Sequence, residues 1–208
     1  MKEFSRDHVE VLGEECSYRG FFQIRTLKFR HRLYRGGWSS VVSRELFARN
    51  DAVGVLLFDP VLDAVALVEQ FRIGVLGNQV AAERGCSPWL LELVAGIIEK
   101  DETPEQVGVR EAVEEAGATV ERLEPIAEYY ASPGGSNEYL YLYAGCADLS
   151  DTEGIYGLEH ENEDIRAFVI PVATLWEMLD RGEFINAHTL IAVQWLRLHH
   201  DRLKRQWA

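Results

Sequence analysis

The spacing of apolar and polar positions changes character several times along the 208 residues. FFQIRTLKFRHRL (21–33) alternates apolar with basic residues, a period of two that predicts a strand. WSSVVSRELFA (38–48) follows a Gly36-Gly37 turn and predicts another. AVGVLLF (52–58) and AVALVEQF (64–71) are β-rich runs separated by DPVLD. A loop with Gly74, Gly77, Gly85 and Pro88 leads into WLLELVAG (89–96), a short buried strand. Further strands are expected near 123–130 and 138–146, flanking ASPGGSNE, and over 165–170, after an acidic loop. The last third becomes helical: 171–182 from a proline start, then an amphipathic helix over 187–207 with Trp195 and Leu196 inward and His199 and His200 solvated.

Between these strands one helix is marked at both ends. Thr103 suits an N-cap, Pro104 the first helical position and Gln106 the third, while Gly117 is placed to end it. Strands in the middle, with helices between and after them, predict an α/β sandwich. The stretch up to about residue 48 reads as an antiparallel β-sheet domain of its own, leaving 49–208 as the main domain.

Composition narrows the functional classes. A hydrophobic share of 47% supports a real core, and no segment is apolar over the ~20 residues of a membrane helix. The start, MKEFSRDHVE, has no leader-like apolar run, so a soluble cytoplasmic protein is expected. Cys16, Cys86 and Cys146 are odd in number and widely spaced, which suggests three buried reduced thiols rather than disulfides or a zinc site. The net charge of -13 disfavours nucleic acid as a partner. It leaves room for an anionic small molecule, because a bound divalent cation inverts the local potential of an acidic pocket.

The helix starting at Thr103 carries the densest charge. At about 100° per residue, Glu111 and Glu115 lie about 40° apart and Glu114 about 60° to the other side of Glu111. Val109, Ala112, Val113 and Ala116 are expected to form the opposite, packed side. Like charges so close repel. Arg110 can neutralise one, as a partner of Glu102 or of a glutamate on the helix, and a hard divalent cation, Mg²⁺ or Mn²⁺, is the natural counterion for the rest.

From Gly96 the chain runs five residues to Glu102, seven more to Arg110-Glu111, two to Glu114-Glu115 and one to Gly117. This spacing resembles the signature of the Nudix hydrolases, with Ala112 and Ala118 in its two apolar slots. The resemblance implies a mixed β-sheet between α-helices and metal-assisted hydrolysis of a nucleoside diphosphate linked to another moiety. VEQFRIG, LLELVAGIIE, ASPGGSNE and ENEDI, with Pro133 placed 16 residues past Gly117, make nearly the whole chain similar to the bacterial ADP-ribose pyrophosphatases.

That resemblance implies metal ligation by Glu111, Glu115 and the carbonyl of Ala95, with Glu114 close enough to assist or to bind a second ion, Glu163 as a metal-binding neighbour, and Gly96, Glu102 and Arg110 as support. It implies Glu161 in GLEHENEDI as catalytic base, with His160 as a competitor, and Glu115 as essential to catalysis. It implies Phe21 stacking on adenine, Arg44 and Arg72 reaching base and phosphates, and Glu138 holding the terminal ribose. A homodimer with exchanged N-terminal sheets also follows from it. The segment 73–87 looks longer than its counterpart, which leaves ADP-glucose or GDP-mannose as alternative substrates. A non-catalytic ligand sensor is the reading from another class.

Overall fold

In a computed structural model, the structure describes residues 4–208; the first three residues of the start read above for a leader lie outside it. The chain divides into two compact units, Met1–Asp51 with Tyr130–Tyr139, and Ala52–Tyr129 with Leu140–Ala208.

The first unit holds a three-stranded antiparallel sheet of β1 (Val9–Arg19), β2 (Gln23–His31) and β3 (Val42–Ala48), in that order. Strand β1 was not evident in the sequence because VEVLGEECSYR alternates poorly. It pairs with β2 through irregularities between Val11 and Gly13 and between Cys16 and Tyr18. Most of its residues are exposed. Phe47 N–H donates to the Gly135 carbonyl at 2.8 Å, which ties the 130–139 segment to β3.

The second unit is built on an eight-stranded mixed sheet. The segments are β4 (Ala52–Asp59), β5 (Ala64–Phe71), β6 (Trp89–Glu92), β7 (Val94–Ile97), β8 (Val120–Tyr130), β9 (Tyr139–Ala147), β10 (Gly154–Tyr156) and β11 (Ile165–Pro171). The order β10-β11-β5-β4-β9-β8 has β4 and β9 parallel, with β6 on β5 and β7 on β4. Alternation along β4 and β5 explains the two layers of core. Val53, Val55, Leu57, Ala66 and Val68 face one way, against helix α3 (Pro104–Ala116). Leu56, Phe58, Val65 and Leu67 face the other, against α4 (Val172–Asp180) and α5 (Ala187–Trp207). Two runs that read as uniformly apolar are apolar because both faces are covered.

WLLELVAG, expected as one strand, splits. Its first half pairs with β5 through Val68↔Glu92 and its second with β4 through Val55↔Val94. Leu93 lies between, and its N–H goes instead to the Thr189 hydroxyl at 3.1 Å. The segment 73–87, expected as loop, contains α1 (Ile73–Leu76) and α2 (Gln79–Glu83), the latter capped by Asn78.

Of the thiols, only Cys146 is buried, whereas Cys86 is half-buried and Cys16 is exposed on β1. The histidines expected to be solvated are engaged: His199 stacks on Trp195 at 4.3 Å, and His200 Nε2 meets Asp63 Oδ1 at 2.6 Å. Lys204 Nζ reaches the other oxygen of Asp63 at 2.7 Å. Partial burial alone would raise the Asp63 carboxyl, but hydrogen bonds from Lys204 and His200 outweigh it and hold the pKa below its usual value. A carboxyl lowered in the fold contributes stability above its unfolded pKa and loses it as pH falls through the folded one. Asp63→Asn, which keeps a residue tolerant of the local φ of 54°, is therefore expected to melt a few degrees below wild type at pH 7. Calorimetry below about pH 4 should show that gap closing.

Candidate active site

Helix α3 begins as the sequence requires: the Thr103 hydroxyl accepts from Gln106 N–H while the Gln106 side chain accepts from Thr103 N–H. It ends at Gly117, whose φ of 61° favours glycine. Its packed side differs from expectation. Val109 is 38% and Val113 50% exposed, while Val107, Gly108, Ala112, Glu115 and Ala116 are buried. The packed stripe therefore includes the carboxylate face itself. Small residues on either side let α3 approach strands β4 and β7, and Glu111 and Glu115 are pressed toward β7 rather than turned to water.

At this junction Gly96 is a steric requirement. A Cβ there would lie 1.9 Å from Glu111 Oε1 and 2.4 Å from its Cγ. One turn along, Glu115 is 3% exposed and accepts from Ala95 N–H at 3.0 Å. Burial pushes its pKa up to about 8, with Glu111 and Glu163 adding to the rise and the Ala95 bond and Arg72 opposing it. Burial likewise pushes Glu111 up to about 7, opposed by Arg110 and helped by Glu114 and Glu163. Both carboxyls ionise reluctantly, and one cation shared between them would relieve both.

Arg110 does more than neutralise a single partner. Its Nη1 donates to Glu111 at 2.9 Å and to Glu114 at 2.8 Å, and its Nε to Glu102 at 3.2 Å. Partial burial opposes its charge, yet these carboxylates raise its pKa. Glu102 also accepts from Glu99 N–H at 3.2 Å, which fastens the turn before the helix.

The acidic loop docks on the end of α3. Gly157 N–H donates to the Glu114 carbonyl at 3.2 Å, and the Tyr156 ring lies where a Cβ on Gly117 would be 2.7 Å away. Glu163 is half-buried, its carboxylate accepts from Leu158 N–H at 3.2 Å, and its field reaches both Glu111 and Glu115. Glu161 ends a 3₁₀ turn, Glu159–Glu161, and is exposed, with its Oε1 3.6 Å from His160 Nε2. The structure thus gathers Ala95, Gly96, Glu102, Arg110, Glu111, Glu114, Glu115 and Glu163 in one region, and Glu161 lies on the open part of the loop.

Arg72 follows β5 in the same unit, and Glu92, Asn186 and His188 beside it were missed from the sequence. Glu92 is 1% exposed and accepts from Arg72 Nε at 2.7 Å. The available signal was a lone carboxylate inside the otherwise apolar WLLELVAG.

In the first unit, Phe21 is 88% exposed and lies edge-on to Phe22, which in turn meets Phe47. Arg44 is exposed on β3 and donates to the Ser43 carbonyl at 2.8 Å. Glu138 pairs with Arg49 at 3.1 Å. Arg49, also missed, lies over the Phe22 ring, and Asn137 hydrogen-bonds both its N–H and its carbonyl.

Among the described residues, no three acidic, imidazole or thiol side chains close around one point as a complete ion cage. The oxygen-only donors at the α3–β7 junction still suit a hard cation. Mg²⁺ is commonly held by one or two carboxylates, with water and substrate phosphates completing its shell. Two desolvated carboxyls against a glycine cradle match that pattern.

Fold and junction together define the class: the chain belongs to the NUDIX domain family, whose model matches residues 48–193. Over 205 residues it is 45% identical to the ADP-ribose pyrophosphatase of Escherichia coli, covering 99% of this chain and 95% of that protein. It is 42% identical over 207 residues to the ADP-ribose pyrophosphatase of Haemophilus influenzae, covering 100% and 94%. A solved structure described as an ADP compounds hydrolase superposes with a TM-score of 0.67 at 19% identity, covering 98% of each chain, and so shares the fold.

Proposed function

We propose that this chain hydrolyses the pyrophosphate bond of ADP-ribose, giving AMP and ribose 5-phosphate. The observation that carries the chemistry is the pair of desolvated carboxyls, Glu111 and Glu115, held against Gly96 and Ala95. The substrate follows from full-length similarity to ADP-ribose pyrophosphatases.

Glu111, Glu115 and the Ala95 carbonyl would hold a divalent cation, Mg²⁺ or Mn²⁺, with Glu114 and Glu163 beside them. When bound, such a cation neutralises diphosphate charge and makes a nearby water more acidic. Arg110 and Glu102 keep the helix face in place. Arg72 binds phosphate oxygen, for which a guanidinium fork is suited. Glu161 takes the proton of the attacking water as that water adds to phosphorus and the bridging P–O bond breaks; its exposure is consistent with a base that approaches once substrate is bound.

Residues 1–48 serve dimerisation and substrate contact, and 49–208 form the hydrolase domain. In a homodimer with exchanged N-terminal sheets, Phe21 stacks on adenine, Arg44 contacts the nucleotide and Glu138 binds ribose hydroxyls. The apolar side chains exposed on that sheet, Val11 at 60% and Tyr18 at 61%, support its having a partner. Among the described residues no helix is long and apolar enough to cross a membrane.

The test is release of AMP or GMP from ADP-ribose, ADP-glucose, GDP-mannose and NADH with Mg²⁺, with and without chelator. ADP-ribose should give the highest kcat/KM, and chelator should stop it. Glu161→Gln should lower kcat by about 10²–10⁴-fold with KM little changed. Preference for another sugar would overturn the substrate and shift attention to the exposed Ile73, Leu76 and Val80 after Arg72. No hydrolysis of any of them would overturn the enzyme.

A further inference from the structure

Residues 92–96 connect several parts of the second unit. Glu92 holds Arg72, Leu93 N–H binds Thr189 on α5, Ala95 N–H binds Glu115, and Gly96 makes room for Glu111. Glu92 is the unusual member, because a carboxylate in a buried strand is costly unless fully paired. It is fully paired. Arg72 approaches one carboxylate oxygen with Nε at 2.7 Å and Nη2 at 2.6 Å. Asn186 Nδ2 donates to the other oxygen, while Asn186 Oδ1 caps α5 by accepting from Thr189 N–H at 3.3 Å.

This arrangement is asymmetric. Glu92 is 1% exposed, whereas the Arg72 side chain is 38% exposed. Glu92 takes Nε and Nη2 of the guanidinium, the side chain as a whole stays part-exposed, and its field reaches Glu115. A free arginine would sample many rotamers and lose that freedom on binding. A clamped one is already oriented.

Resting on the diphosphate-hydrolase reading, we propose that Glu92, fixed by Asn186 at the start of α5, is a positioning residue that presets the Arg72 guanidinium for the substrate's diphosphate. Glu92 touches no substrate, and its contribution is expressed only through Arg72. The two residues must therefore behave as one unit in binding.

The test is calorimetric binding of ADP-ribose whose bridging phosphate oxygen is replaced by methylene, so that turnover does not intervene, to the full-length protein with Mg²⁺. Arg72→Ala should weaken binding by about tenfold or more, the scale of a charge-assisted hydrogen bond. Glu92→Gln should weaken it several-fold, and adding Glu92→Gln to Arg72→Ala should produce no further loss. In turnover of ADP-ribose, Glu92→Gln should act mainly on KM. Should Glu92→Gln fold poorly, Asn186→Ser, which keeps a capping hydroxyl but releases the carboxylate, should show the same non-additivity at smaller amplitude. Additive losses, an unchanged affinity in a folded Glu92→Gln protein, or an Arg72→Ala protein that binds as wild type would each overturn the proposal. Failure of the hydrolase reading is separate: it shows as wild-type protein that binds the analogue but turns over no nucleoside diphosphate sugar.

Discussion

Glu115→Gln is expected to reduce hydrolysis by at least about 10²-fold, the upper end of what loss of an outer-shell partner of a metal produces. In the absence of divalent cation it should nevertheless make the protein more stable at pH 8. Burial raises the Glu115 carboxyl from the ordinary glutamate range to about 8. A group raised in the fold contributes stability that is complete below the unfolded pKa and is lost as pH rises through the folded one. Metal-free wild type should therefore lose melting temperature between about pH 5 and pH 8, with Glu111, raised to about 7, contributing to the same decline. The neutral, near-isosteric glutamine avoids the Glu115 share of that loss. Saturating Mg²⁺ should restore the wild type by mass action and leave the variant nearly unmoved. A variant that melts below wild type at pH 8 in chelator would show that Glu115 is structurally stabilising as a carboxylate, contrary to its placement here.

Gly96→Ala should be nearly as damaging to activity, for a steric reason. The added methyl would occupy the space of Glu111 Oε1, Cδ and Cγ, at 1.9 Å, 2.2 Å and 2.4 Å. The side chain must swing away, so cation affinity and turnover should both fall by about 10²-fold, as for loss of a metal partner. Thermal stability should change little, since the atoms displaced belong to a side chain and alanine restricts the unfolded chain slightly more than glycine does. Calorimetric titration with Mg²⁺ alongside circular-dichroism melting separates these effects. Wild-type affinity in Gly96→Ala would place the cation elsewhere.

Much of this was legible in the sequence because it depends on local spacing. The Thr103–Gln106 cap, the Gly117 terminus and the clustering of Glu111, Glu114 and Glu115 follow from helical geometry. The two β-rich runs of β4 and β5 gave the centre of the sheet. What local spacing cannot report is which direction a helix faces. Val109 and Val113 look like core by hydrophobicity, yet α3 turns its small and acidic residues inward because Gly108, Ala112 and Ala116 permit close approach. The pairing of Glu92 with Arg72 and Asn186 links residues 20 and 94 positions away and leaves no periodic trace. Strand β1 is similar: its irregular pairing with β2 spoils the alternation by which strands are recognised.

The most direct test of the central claim is ³¹P NMR of ADP-ribose incubated with the protein and Mg²⁺. The two coupled diphosphate resonances should be replaced by two phosphomonoester signals, those of AMP and ribose 5-phosphate, and chelator should stop the conversion. A diphosphate spectrum unchanged after prolonged incubation with Mg²⁺ or Mn²⁺ would contradict the assignment.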